Sequence, residues 1–148
     1  MNLFSPTFWV LLLNLSTPTV LPSLDVQVLV GTAQPKNALV DKTVTSAELN
    51  RTFRNQNLNH FYLLDEVTIS FNDSDKRQQR TLSLPEGRSA QFKYTGRTPR
   101  HHVLEFSLPD YKVLAQLRVP ESRTFYQAGI KHEDGMIILK MRLNPFKK

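Results

Sequence analysis

The sequence predicts an all-β fold: a single antiparallel β-sandwich of about seven to nine short strands, immunoglobulin-like or jelly-roll-like in architecture. Three observations predict it. Apolar and polar residues alternate with a period of two through most of the chain beyond residue 60. Turn-forming residues interrupt these runs at intervals of about ten residues. An Asp-Gly pair near the C-terminus is typical of a tight hairpin turn.

Each predicted strand places apolar side chains on one face and polar ones on the other. This pattern suits two packed sheets, each with a solvated outer side. The apolar members of the runs are Val26, Val28, Val30, Val67, Ile69, Phe71, Leu82, Leu84, Ala90, Phe92, Tyr94, Leu104, Phe106, Leu108, Val113, Ala115, Leu117 and Val119.

The final hairpin can be predicted in register. If Asp134 and Gly135 are the central residues of a type I′ turn, Glu133 faces Met136. The apolar face then pairs Ile130 with Leu139, Ala128 with Met141, Tyr126 with Leu143, and His132 with Ile137. A slip by one residue would turn Lys131, Lys140 and Arg142 into the core. The turn and the hydrophobic pattern therefore favour the same register.

A short helix is predicted before the main series of strands. Ser46 is suited to cap its N-terminus, with Leu49 and Phe53 on one face of the helix. Residues 55–59 are rich in asparagine, which indicates a loop after the helix.

The N-terminus has the composition of a secretory signal peptide. The first 23 residues carry no charged side chain, whereas the 19 Lys+Arg and 13 Asp+Glu all lie beyond them. An apolar run centred on residues 8–13 precedes Pro18 and Pro22. We therefore expect a signal peptide over residues 1–23 and one β-sandwich domain over residues 24–148. The run is too short for a membrane-spanning helix, so no transmembrane segment is predicted unless the leader is retained; an N-terminal core strand is the alternative.

Two sequons agree with a secretory route and make Asn50 and Asn72 the candidate glycosylation sites. They are Asn50-Arg51-Thr52 and Asn72-Asp73-Ser74. Asn72 lies within a cluster of turn formers, where a glycan would point into water.

The sequence offers no set of residues that indicates catalysis, a metal or a cofactor. The absence of cysteine excludes disulfides, thiolate metal sites and thiol catalysis. His101 and His102 are neighbours on a predicted strand, so their side chains point to opposite faces and cannot readily share a metal. A calcium loop beginning at Asp73 fails because Leu84 occupies the position that requires a glutamate.

The net charge of +6 favours a polyanionic partner. The candidate polyanion-binding residues are Arg97, Arg100, Arg118, Lys131, Lys140 and Arg142. The last four are expected to form a stripe across the polar faces of neighbouring strands. Single-stranded nucleic acid is disfavoured because the aromatic residues alternate onto the apolar faces, which removes a stacking surface. A sulfated glycan or an acidic protein needs no such surface.

These features predict a secreted, non-enzymatic interaction domain that binds a protein or receptor through a surface of the sandwich. The alternative is a carrier or binding protein for a small ligand or sulfated glycan, which would use a pocket between the sheets or a basic face. An enzyme with a scattered site is a third interpretation, since fold does not fix function.

Overall fold

The two-sheet sandwich is confirmed by the computed structural model, which describes residues 21–35, 42–71 and 79–144. The elements of these residues are β1 (Ser23–Thr32), β2 (Lys42–Thr43), α1 (Ala47–Phe53), β3 (His60–Ser70), β4 (Gln79–Ser83), β5 (Ser89–Arg97), β6 (His102–Leu108), β7 (Val113–Val119), β8 (Thr124–His132) and β9 (Gly135–Asn144). Short 3-10 turns lie at Arg54–Gln56, Pro85–Gly87 and Pro109–Tyr111. The predicted leader and Asn72 lie outside the described residues.

All strand pairs are antiparallel. One sheet has the order β2-β3-β1-β9-β8, and the other is a four-stranded meander in the order β4-β5-β6-β7. The apolar faces predicted from the alternation meet between the sheets. Their fully buried centre includes Val26, Phe92, Phe106 and Leu139. Burial of such side chains contributes roughly 1.5–3 kcal/mol each, so this core is the main source of stability.

The predicted helix is confirmed, and it covers part of the outer face of the five-stranded sheet. The hydroxyl of Ser46 accepts a hydrogen bond from the backbone N–H of Leu49 at 3.2 Å and caps α1. Leu49 and Phe53 are buried against Phe61 and Ile138 in a second apolar cluster. The expectation that each sheet has a solvated outer side is therefore wrong for this half of the five-stranded sheet.

The last hairpin exists, but its predicted register is wrong. The turn residues are Glu133 and Asp134, so His132 pairs with Gly135 and Ile130 pairs with Ile137. Glu133 adopts the positive φ of 48°, whereas Gly135 is not in the left-handed region.

A β-bulge at Gly129 then shifts the register once more, because Ala128 pairs with Ile138. The residues before the bulge change faces as a result. Tyr126 and Ala128 pack in the cluster beneath α1, and Phe125 packs against the core between the sheets. An extra residue in one strand produces this change of phase.

Candidate functional site

The most exposed apolar residues of the described chain lie at the start of β7. Leu114 has 70% of its surface exposed, Tyr111 41% and Val113 38%. Leu114 pairs with Ser107 of β6 and shares its outward face, whereas Val113 lies on the face turned toward the other sheet. Leu114 and Val113 therefore do not form one patch; what they share is their position on the edge strand of the meander.

Leu114 and Val113 lie on β7, an edge strand that lacks the features by which sheets usually avoid pairing with other chains. In the part of the chain that the structure describes, β2 has two residues and β4 has five. The edge strand β8 is interrupted by the bulge at Gly129. In contrast, β7 runs for seven residues in unbroken register with β6 and carries one charged side chain, Arg118. Natural sheets blunt their edges with short strands, bulges and charges, so the edge of β7 is more open to pairing than the described edges of β2, β4 and β8.

The start of β7 is held in place by a polar cluster around Arg88. Its guanidinium donates hydrogen bonds from Nη1 to the hydroxyl of Tyr111 and to the backbone carbonyl of Lys131, each at 2.6 Å. It also forms an ion pair of 3.0 Å with Glu86, and Glu86 lies 2.8 Å from Nδ1 of His132. Since Tyr111 precedes β7 and Lys131 lies on β8, these bonds link the two sheets at this end.

The other end of β7 is held by a second polar cluster. The buried ring of His102 lies between Tyr94 Oη, 2.8 Å from Nδ1, and Glu121 Oε1, 2.7 Å from Nε2. Arg97 forms an ion pair of 3.1 Å with the same carboxylate. In the neutral ring, Nε2–H donates to Glu121 and Nδ1 accepts from the hydroxyl of Tyr94.

The environment of this cluster shifts the pKa values of Glu121 and Tyr94. The hydrogen bond from His102 holds the pKa of Glu121 below its ordinary value, with the charge of Arg97 acting in the same direction. Burial raises the pKa of Tyr94. Because His102 is 3% exposed and both its ring nitrogens are engaged, the cluster supports a structural role that ties the β7–β8 connection to β5 and β6.

The predicted basic residues are divided between the two sheets. Arg97 lies at the end of β5, Arg100 in the turn that follows, and Arg118 on the outer face of β7. On the other sheet, Lys131 lies at the end of β8, and Lys140 and Arg142 lie on β9.

The structure therefore does not bring Arg118 together with Lys131, Lys140 and Arg142. The outer faces of two stacked sheets point in opposite directions, which separates Arg118 from the basic residues of β9. Arg142 also lies opposite Asp25 of β1 in the strand register, and this acidic residue reduces the positive charge of that face.

Of the two candidate glycosylation sites, only Asn50 lies among the described residues. Asn50 lies exposed in the middle of α1, on a helix whose buried residues are Leu49 and Phe53. A glycan on its amide would extend away from the sheet beneath the helix. The segment around Asn72 is not among the described residues.

Residues 21–35, 42–71 and 79–144 contain no group of three His, Cys, Asp or Glu side chains placed to hold a metal ion. Within these same ranges, no helix has the length and apolar character needed to cross a bilayer.

Comparisons of the chain with protein-family models, with curated proteins and with solved structures find no match.

The exposure of Leu114 has a signal in the sequence. In the run Val113, Ala115, Leu117, Val119, the intervening positions should be polar, as Gln116 and Arg118 are. Leu114 is apolar at such a position. A single exposed apolar residue is common on protein surfaces, so Leu114 is informative only together with the edge position of β7.

Proposed function

We propose that the protein is a secreted, non-enzymatic interaction domain that binds a protein partner through the open edge of β7. The observation that carries the proposal is Leu114, which stands 70% exposed on a long edge strand without a bulge. The uncharged, apolar first 23 residues and the sequons support the secretory part of the proposal.

An edge strand binds an extended segment by main-chain hydrogen bonds. Alternate residues of β7 direct their N–H and C=O groups away from β6, where a partner strand can pair with them. Side chains of that strand would then contact Leu114 on the outer face and Val113 on the inner face. The clusters around Arg88 and His102 fix the two ends of β7. Because the strand is already ordered, it loses little conformational entropy on binding.

The alternative functions have less support. The space between the sheets is filled by buried apolar side chains such as Val28, Phe92 and Leu104, which weighs against a ligand carried inside the described sandwich. The distribution of the basic residues over both sheets weighs against one extended polyanion surface.

Photocrosslinking tests the proposed surface. The full chain is expressed in a secreting eukaryotic cell with a photoreactive amino acid at position 114, and in parallel at position 81. Thr81 is an exposed residue of β4, the opposite edge of the same sheet, and serves as the matched control. We expect a discrete cross-linked protein product from position 114 only. Equal products from both positions, or none, would contradict the proposal.

The variant Leu114→Lys supplies the second measurement, compared with Thr81→Lys. Leu114→Lys removes the apolar contact and adds a charge to the edge, which opposes strand pairing. It should reduce recovery of the cross-linked partner about tenfold when the photoreactive residue is moved to position 116. Thr81→Lys should leave recovery unchanged. The secretory part is tested by N-terminal sequencing: a chain recovered from the medium should lack its first twenty or so residues, and an intact chain in the cytosol would contradict it.

A further inference from the structure

The pattern of residues along β7 is compatible with pairing to itself. We infer that the partner of this edge is a second copy of the chain, joined antiparallel through β7 about a twofold axis at Gln116. This inference rests on the proposed function, because it names the protein that the β7 edge binds. Twofold pairing of one surface with itself is the commonest arrangement of homo-oligomers.

The register centred on Gln116 uses the whole strand. Val113 then lies opposite Val119 of the second copy, and Ala115 lies opposite Leu117, so apolar residues meet on the inner face. On the outer face Gln116 meets its symmetry mate, and their amides can hydrogen-bond to each other. In this register inner-face residues lie opposite inner-face residues and outer-face residues opposite outer-face residues. The two four-stranded meanders then form one eight-stranded sheet.

The charges favour the same register. Arg118, the one charged residue of β7, lies opposite Leu114 of the second copy, where its alkyl stem can cover the exposed leucine. The two Arg118 side chains are then four residues apart, about 14 Å along the strand, which is beyond the screening length at physiological salt. A register centred on Leu117 would bring them to about 7 Å, and one centred on Arg118 would place them face to face.

The edges of β8 and β4 are poorer candidates for self-pairing. The bulge at Gly129 breaks the ladder of β8, and β4 has five residues. The edge of β7 spans about 24 Å, which is short for a permanent interface and favours a dimer that exchanges with monomer. The net charge of +6 on each chain opposes association and adds a dependence on salt.

Sedimentation equilibrium of the full secreted chain tests the inference, with three substitutions on β7 and β4. In the register centred on Gln116, Leu114→Glu places a carboxylate opposite Arg118 of the second copy on both sides of the axis. Leu114→Lys places an ammonium group there instead. We expect Leu114→Lys to raise the dimer dissociation constant about tenfold or more, because it combines like charge with loss of the apolar contact. Leu114→Glu should remain within about threefold of the unmodified chain. Thr81→Lys, on the opposite edge, should leave dimerisation unchanged.

Each outcome decides the inference. A monomer at every concentration up to several hundred micromolar overturns it, and so does equal weakening by Leu114→Glu and Leu114→Lys. The side chain of Leu114 is largely exposed, so both variants should fold, and thermal unfolding of the monomer verifies this. The photocrosslinking experiment separates this inference from the proposed function. A product of twice the chain mass supports both, whereas a product with a different protein overturns the dimer and leaves protein binding in place.

Discussion

Gly135 begins β9 at a place where the main chain of β1 passes close to it. A Cβ atom added to Gly135 would overlap the carbonyl oxygen of Gly31 and would lie 2.9 Å from Cγ2 of Thr32. Neither neighbour is the movable end of a long side chain. We therefore expect Gly135→Ala to force the two strands apart and to lower the free energy of unfolding by roughly 1–3 kcal/mol, the usual cost of overpacking.

The magnitude can be measured by urea denaturation and by thermal unfolding. For a domain of this size, a loss of about 1 kcal/mol lowers the melting temperature by roughly 4 °C. The cause can be separated from backbone strain with Gly87, which has φ of +72° and no atom within 4 Å of the point that a Cβ would occupy. There the cost arises from the left-handed conformation, which asparagine tolerates better than alanine.

A crossed comparison therefore tests the reasoning. At position 87, asparagine should be better tolerated than alanine, because the conformation alone sets the cost. At position 135, asparagine should be at least as destabilising as alanine, because the larger side chain meets the same backbone. Gly135→Asn with the stability of the unmodified chain would refute the steric explanation.

Three further predictions follow from the caps and polar clusters. Ser46→Ala should lower the free energy of unfolding by about 1 kcal/mol in urea denaturation, with Ser46→Asp close to the unmodified chain, because the cap bond is lost in the first and kept in the second. Burial, together with the carboxylate of Glu48, raises the pKa of Tyr126 to about 12. The neutral form therefore stabilises the fold below pH 10, and this contribution to the free energy of unfolding is lost between about pH 10 and 12. Tyr126→Phe should make the urea midpoint fall less steeply over that interval, and an unchanged slope would contradict the prediction. The hydrogen bond from His102 lowers the pKa of Glu121. The stabilisation that Glu121 gives the folded state is therefore present above its ordinary pKa of 4.5 and is lost as the pH falls through the lower pKa of the folded state. Glu121→Gln should reduce the loss of stability on acidification, as followed by circular dichroism.

The strands could be predicted from the sequence because each buries one face. A period of two is clear where apolar residues alternate with polar ones, as at Leu104 to Leu108, where Glu105 and Ser107 lie between the buried residues. The helix was predictable for a similar reason: Ser46 has a side chain that can cap it, and Leu49 and Phe53 are one turn apart on the same face. These are local properties that short segments carry by themselves.

The site was predicted less well because it depends on which strands lie at the edges. Local alternation identifies the outer face of a strand, but it does not tell which sheet the strand joins or which neighbour it has. The sequence predicts a shared stripe for Arg118, Lys140 and Arg142 because all three occupy polar positions, yet β7 and β9 belong to different sheets. Alternation alone likewise does not show that β7 is the edge of the meander, where Leu114 lies exposed.

The bulge at Gly129 explains two features: the difference between the predicted and observed hairpin register, and the interrupted edge of β8. Without a bulge, Tyr126, Ala128 and Ile130 form one apolar face, so the alternation contains no sign that the phase changes between them. The bulge places Ile130 in the core between the sheets and turns Tyr126 toward Phe53, where the two rings meet edge to face at 5.7 Å. Gly129 can hold φ of +114°, a backbone conformation that other residues rarely adopt. The same irregularity interrupts the outer ladder of β8, which makes this edge a poor template for another strand. One residue therefore directs Tyr126 to the helix and interrupts the edge of its own sheet, whereas β7, at the edge of the other sheet, pairs with β6 without a shift.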